Sequence, residues 1–434
     1  MAVGGGVVVT VIDLGELRDD SGPEPAPRRA GRAAAPYRSL AVLVAALLTA
    51  AGGAPAPERP WAAVPAGPGA EAFLTGDRLY VVEPAVPGGN EGRQLVAYRV
   101  PETGPPPELW RTSLPGDGAV VGLLERAGTV LLIGPVGGDS GPYRTSAVDA
   151  GTGRPGWQQA GVAVPAGDVV LIESLGQEGV TAIRRVDPPT GRTLWSVPTP
   201  QEGLSLNAGP DGIDRIVLAP ASGDVEVRDA ASGARLVARN IRPGELPTWQ
   251  RTQVVGDLLL VIRNGDGTIT GYDLDRLDRR WTARLSLVGY VDRCGLLLCA
   301  YRQTGGMWAL DPATGATRWT DPRWQAVLRE VGGRLLVSSA DAVGARYAVV
   351  EAATGRLLAD LGAWELAGGD DPADPLIGVR RRGDGRLLVA ELDVPTGRAQ
   401  VRDALPDVLG NCRTRGHVLI CRRVAGGFGL WRLP

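Results

Sequence analysis

The chain has 434 residues and a formal net charge of −2, which excludes the strongly basic surface that nucleic-acid binding draws on. A hydrophobic content of 44% is too high for a disordered chain, and 62 Gly, 35 Pro and 11 Trp against two Phe suit many short strands joined by turns. Lys is absent, so Arg carries all the positive charge; we read this as codon composition and attach no function to it.

In chain order, residues 1–36 form a polar tail that includes "DLGELRDDSGPEPAPRRAGR". Residues 37–56 hold the one long apolar run, uncharged from Ser39 to Ala54 and preceded by Arg28, Arg29, Arg32 and Arg38. That charge bias predicts a cytoplasmic tail and an exported remainder. The run is short of the ~20 residues of a comfortable membrane span, so a cleaved signal segment competes with an uncleaved anchor. The long polar stretch ahead of it favours the anchor, and both readings export residues 57–434.

From there one pattern returns down the chain. "WALDPATGATRW" at 308–319 has counterparts in "SAVDAGTGRPGW" at 146–157, "RRVDPPTGRTLW" at 184–195 and "VRDAASGARL" at 227–236. Weaker copies put the register position at Arg99, Asp273, Glu351 and Asp393. With Asp149, Asp187, Asp229 and Asp311 the spacings are 50, 38, 42, 44, 38, 40 and 42 residues. A period near forty with variable loops marks an array of one supersecondary unit.

Each unit reads as strand, turn, strand. Buried-looking strands such as "RLYVVE" at 78–83, "TVLLIG" at 129–134 and "DLLLVI" at 257–262 precede the motif. In "DPATG" the Asp side chain caps backbone N–H groups, and Gly315 takes the left-handed conformation that closes the turn. Four antiparallel strands per unit, arranged radially, make an all-β propeller. Gly153 and Trp157, Gly191 and Trp195, Gly233, Gly315 and Trp319, and Gly397 complete the repeat. The Trp is expected between neighbouring blades, against a small residue such as Ala309. Eight turns are visible, and a further hairpin, "HVLICRR" with "FGLWRL", follows them. Propellers rarely exceed eight blades, so eight are expected, within a range of seven to nine. Trp61 in "RPWAAVP" is expected on an outer strand that closes the ring with the C-terminal strands.

The pattern A-x-D-x-x-T-G-x-x-x-W, here Ala309, Asp311, Thr314, Gly315 and Trp319, resembles the repeat of the PQQ-like (quinoprotein-type) β-propellers, over about residues 60–434. The tail, single anchor and exported propeller also resemble membrane-anchored actinobacterial members. That family contains quinone-dependent dehydrogenases and BamB-like lipoprotein scaffolds of outer-membrane protein assembly. Its enzymes pair a bound calcium with an Asp base, and many stack the quinone on a disulfide between adjacent Cys. This chain has no adjacent Cys pair.

Four other segments mimic sites. "GGDSGPY" at 137–143 resembles a serine-protease nucleophile loop, but the one His, His417, lies far along the chain in "HVLIC", expected as an ordinary strand residue. "GTGRPG" at 151–156 spells a dinucleotide fingerprint with no helix after it. "NGDGT" at 264–268 and "RRRGDGR" at 380–386 read as hairpin turns, with Arg380–Arg382 on a solvated strand face. Trp249, Trp324 and Trp364 fall outside the repeat position and are the candidates for an exposed contact. The four Cys of an exported domain point to disulfides, Cys412 with Cys421 across one hairpin and Cys294 with Cys299 if a tight turn forms at Gly295. No catalytic, metal or cofactor set emerges. The expected function is a membrane-tethered platform for another protein or a cell-envelope component, without nucleic acid; a quinone-dependent dehydrogenase is the alternative.

Overall fold

The computed structural model describes residues 60–434 apart from 86–91, 116–117, 139–140, 168, 177–178, 201, 210–211, 244–249, 342–343, 370 and 372. The tail and apolar run at 1–36 and 37–56 lie outside the described residues, as does Trp249. Among the described residues no helix is long and apolar enough to cross a membrane.

The described strands form nine four-stranded antiparallel sheets. In eight of them, at residues 71–113, 122–160, 162–198, 204–240, 251–284, 288–321, 326–363 and 365–405, the strands follow chain order. First strands of successive sheets neighbour one another about a common axis, so each blade runs from the axis outwards. The ninth blade breaks the order. Its inner three strands are Val408–Arg415, Val418–Arg423 and Phe428–Arg432, and its outer strand is Trp61–Val64 from the other end of the chain. Trp61 pairs with Trp431 and Val64 with Phe428, which is the closure expected from the sequence.

Nine blades replace the eight expected. Eight turns were legible because eight blades join their third and outer strands through one. In the ninth the two chain ends replace that turn, so the blade carries no motif.

A blade is apolar on both faces, and neither face is buried by the blade itself. The buried side chains sort into nine clusters, each drawn from two successive blades. One of them joins Ile420, Phe428 and Leu430 of blade nine to Leu79, Val81 and Val96 of blade one. The ring is therefore closed by packing as well as by strand pairing. Each buried Leu, Ile or Val contributes about 1.5–3 kcal/mol of transfer free energy.

The repeat motif ties these clusters at their rim. At "DPATG" the Gly315 N–H donates to the Asp311 carbonyl at 2.8 Å and the Asp311 N–H to the Ala316 carbonyl at 2.9 Å. The Asp311 carboxylate accepts from the N–H groups of Ala313 at 2.9 Å and Thr314 at 3.1 Å. Gly315 has φ +70°. The Trp then reaches forward to the following blade. Trp110 donates its indole N–H to Ala150 O at 2.8 Å, Trp157 to Pro188 O at 2.7 Å, Trp195 to Ala231 O at 3.1 Å, Trp281 to Pro312 O at 2.8 Å and Trp319 to Ala352 O at 2.9 Å. Its ring lies flat on the next turn's glycine. A Cβ at Gly153 would sit 2.6 Å from the Trp110 ring, one at Gly355 2.6 Å from Trp319, and those at Gly191 and Gly315 closer still to Trp157 and Trp281. Ala309 is the cross-strand neighbour of Trp319, but the surface the ring covers belongs to Gly355.

Ring and glycine vary together at one joint. Blade four has Val237 where blades one, two, three, five and six have Trp, and the following turn has Leu277, 1% exposed at φ +58°, where those joints have Gly. The Leu side chain fills the space the ring would occupy. Blade seven carries Ala359 opposite Gly397, and there Arg334 donates to the Pro395 carbonyl in place of an indole.

Trp281→Ala should cost about 3–5 kcal/mol in urea unfolding, from the cavity left between blades five and six. Gly315→Ala should also destabilise, and the double variant should cost less than the sum of the two, since both break one contact. The exposed turn change Ala313→Ser should cost under about 0.5 kcal/mol.

Candidate functional site

The strand order gives the ring two unlike faces. On the face that carries the Asp-Gly turns, two residues separate the first strand from the second in every blade except the eighth, where residues 367–376 intervene. On the opposite face the connections are unequal, from a single residue at 161 and 364 to the longer 84–93, 114–121, 241–250 and 382–386. Tight turns fix the first face, whereas the second has the variability typical of recognition loops.

The repeat acids are committed to their own turns. Hydrogen bonds from Thr152 hold the Asp149 carboxyl below the usual range, and Ser232 does the same for Asp229. Arg280 lowers Asp273, Arg318 lowers Asp311, and Thr354 with Arg356 lowers Glu351. Asp187 accepts from Thr190, and Asp393 from the Thr396 N–H at 3.0 Å. The predicted repeat residues are thus brought together across blade joints, with the turn of one blade beneath the ring of the previous one, and not around a common pocket. Among the described residues no group of three His, Cys, Asp or Glu could hold a metal ion.

The mimic segments resolve into connections. "GTGRPG" is the turn before Pro155–Ala160, and "NGDGT" joins Leu258–Arg263 to Thr268–Asp273. "GGDSGPY" joins Thr129–Pro135 to Tyr143–Asp149, with its Asp139 and Ser140 outside the described residues. His417 is not a strand residue; it sits exposed in the hairpin between Val408–Arg415 and Val418–Arg423.

One surface expectation is corrected. Trp324 and Trp364 are 5% and 6% exposed and belong to the joints on either side of blade seven. The run Arg380–Arg382 is exposed, as expected, though two of its side chains reach neighbouring groups. Arg380 stacks on Trp364 at 4.5 Å, and Arg381 crosses to blade nine to donate to the Val408 and Leu409 carbonyls at 3.0 and 2.7 Å.

Both cysteine pairs are disulfides. Cys294 and Cys299 flank the hairpin turn at Gly295, φ +67°, with Cα atoms 5.8 Å apart. Cys412 sits at a register shift of the inner strand and bonds Cys421 on its partner, with Cα atoms 4.1 Å apart. Cross-links buried in two joints suit an extracytoplasmic compartment, where thiols stay oxidised.

Three features had no signature in the sequence. The ten-residue connection of blade eight straps its neighbours: Arg329 of blade seven donates to the Asp374 carbonyl at 2.7 Å, and Arg415 of blade nine pairs with Asp371 at 3.0 Å. Glu173, in the second strand of blade three, has its carboxyl pushed up by burial alone. Beside the closing seam, Glu71, Asn411, Arg413, Arg422 and Phe428 line a recess over the Cys412 disulfide. Each joins residues distant in sequence; the presence of just two Phe in the chain was the one available hint at the third.

Fold and repeat together define a closed β-propeller of nine four-stranded blades. Residues 177–292 match the family model described as outer membrane protein assembly factor BamB, within the stretch whose repeat resembles the PQQ-like β-propellers. No curated protein matches the chain significantly. Similar solved structures include BamB from Moraxella catarrhalis, at 13% identity and TM-score 0.44 over 86% of this chain and 96% of that one. The computationally designed Ika8 protein is similar at 14% identity and TM-score 0.46, over 74% and 98%. A europium-containing methanol dehydrogenase is similar at 13% identity and TM-score 0.41, over 74% and 81%.

Replacing Cys412 and Cys421 by Ser removes a cross-link spanning a sequence separation of 9 and should cost about 2–3 kcal/mol of stability by loop entropy. The burial of Glu173 makes a signed prediction. A carboxyl with a raised folded-state pKa contributes stability in full below the ordinary glutamate pKa and loses it as pH rises through the raised value. Glu173→Gln should therefore raise the urea midpoint near pH 7.5 and leave it unchanged near pH 3.5.

Proposed function

We propose that this protein is a non-enzymatic, extracytoplasmic interaction platform, tethered through residues 37–56, that presents the loop face and axial wall of its propeller to another protein or a cell-envelope component. The observation that carries this reading is the allocation of polar groups. The recurrent acids are consumed in turn caps, and most of the described arginines bond to acids or main-chain carbonyls of the ring itself. What varies from blade to blade is the length of the loops on one face, and surface loops on a rigid scaffold are where binding specificity resides. The disulfides support the compartment. They also weigh against a quinone enzyme, since Cys294 and Cys299 are both fully buried and offer no ring a stacking surface.

Added pyrroloquinoline quinone and calcium should leave the melting temperature of the purified protein unchanged and permit no dye reduction with alcohols or sugars. A ligand that binds only the folded state stabilises it by about 2.7 kcal/mol at 100 times its dissociation constant. A ring of this size would register that as a shift of a few degrees. A quinone-dependent shift accompanied by turnover would overturn the proposal in favour of a dehydrogenase.

A further inference from the structure

Both phenylalanines of the chain lie at the seam that closes the ring, and each carries an arginine. The Arg413 guanidinium stacks on Phe73 at 4.6 Å from the ring centroid, and Arg422 on Phe428 at 4.7 Å. The rings are 5% and 4% exposed; Phe428 packs in the joint between blades nine and one and Phe73 in that between blades one and two, so both are fixed platforms. The two arginines and both platforms come from four strands: Glu71–Thr75, Val408–Arg415, Val418–Arg423 and Phe428–Arg432.

The two arginines are unequally engaged. Arg422 donates to the Ala70 carbonyl. Arg413 makes no side-chain hydrogen bond or ion pair among the described residues, although arginine partners are common elsewhere on the ring, as at Arg280, Arg318 and Arg402. Stacking covers one face of its guanidinium and leaves the edge, with its fork of N–H donors, open to the recess. The backbone at this point is set by two constraints. The register of the inner strand shifts between Gly410 and Arg413, with Asn411 at φ +49°, and the Cys412–Cys421 bond pins that irregularity to the next strand. Asn411 and Glu71, both exposed, complete the lining.

We infer that this recess is a receptor for a carboxylate presented by an extended acidic segment of a partner polypeptide. The inference deepens the platform reading and rests on it. A planar, pre-oriented guanidinium edge matches the two oxygens of a carboxylate. With Arg413 and Arg422 against Glu71, the lining carries one positive charge in excess, enough for a monoanion. Glu71 would repel a phosphoryl dianion, and its oxygens accept the N–H groups of a peptide that brings the acid in. The recess lies along the first strand of blade nine, so the segment would enter from the axial channel.

The test is fluorescence anisotropy with the purified full-length chain and a fluorescein-labelled Gly-Glu-Gly-Glu-Gly peptide. Saturable binding is expected, at least tenfold weaker for the same peptide with Gln in place of Glu. Arg413→Gln should weaken binding at least tenfold. Arg413→Lys, which keeps the charge but not the flat fork, should fall between the variant and the native protein. Equal binding of the Glu and Gln peptides, a comparison that needs no variant, would overturn the inference. So would unchanged binding in a folded Arg413→Gln protein, or tighter binding of a phosphoserine peptide than of the Glu peptide. Loss of peptide binding while the quinone assay stays silent removes the recess alone; a quinone response with turnover removes the platform reading itself.

Discussion

The structure depends on the contact between an indole ring and the glycine of the next blade's turn. A four-stranded sheet with two apolar faces gains nothing until a neighbour covers each face, so every blade requires the next. The clusters of Leu, Ile and Val supply most of the buried area but little direction, because aliphatic packing tolerates rotation. The Trp adds direction. Its N–H must meet one carbonyl, and its face must lie on a residue without Cβ, which sets the angle of one blade to the next at the rim. Where the ring is absent, Leu277 fills the gap or Arg334 supplies the donor. The requirement is for an occupied joint, and more than one side chain meets it.

Closure is a separate constraint. A ring of repeats has two ends, and those ends expose the faces that every internal blade hides. Pairing Trp61–Val64 with Phe428–Arg432 makes the last blade a product of both chain termini. The seam is reinforced by Arg422, which donates to the Ala70 carbonyl, and by Arg432, which donates to the Pro101 carbonyl at 2.6 Å. The Cys412–Cys421 bond and the strap to Arg415 hold the same blade on its other side, against blade eight.

Function follows from how the two faces differ. The turns repeat because most of them seat a Trp of the previous blade, and their acids are used in capping them. The opposite connections bear no such duty and are free to vary in length. The recess at the seam stands apart from both, since it exists only because blade nine is assembled from distant segments. Its Arg413 guanidinium is stacked but not bonded among the described residues, unlike those of Arg280, Arg318 and Arg402, which serve the fold.

The repeat, the all-β class, the strand–turn grammar and the closing role of Trp61 were legible in the chain because each is written in a local or periodic pattern. So were the two cysteine pairings, given turns at Gly295 and Gly416. The blade count was not, since the ninth blade has no turn to leave a motif. Nor could composition show that Trp324 and Trp364 are buried or that Arg381 reaches across to the Val408 and Leu409 carbonyls: such contacts depend on which blade stands beside which. The pairing of Arg413 with Phe73 and of Arg422 with Phe428 is of the same kind, joining residues some 340 positions apart at one end of the contact and six at the other. Periodicity determines the unit, because a strand must alternate and a turn must close wherever they occur. The site is decided only when the ring shuts, because closure is what brings the two ends of the chain to one place.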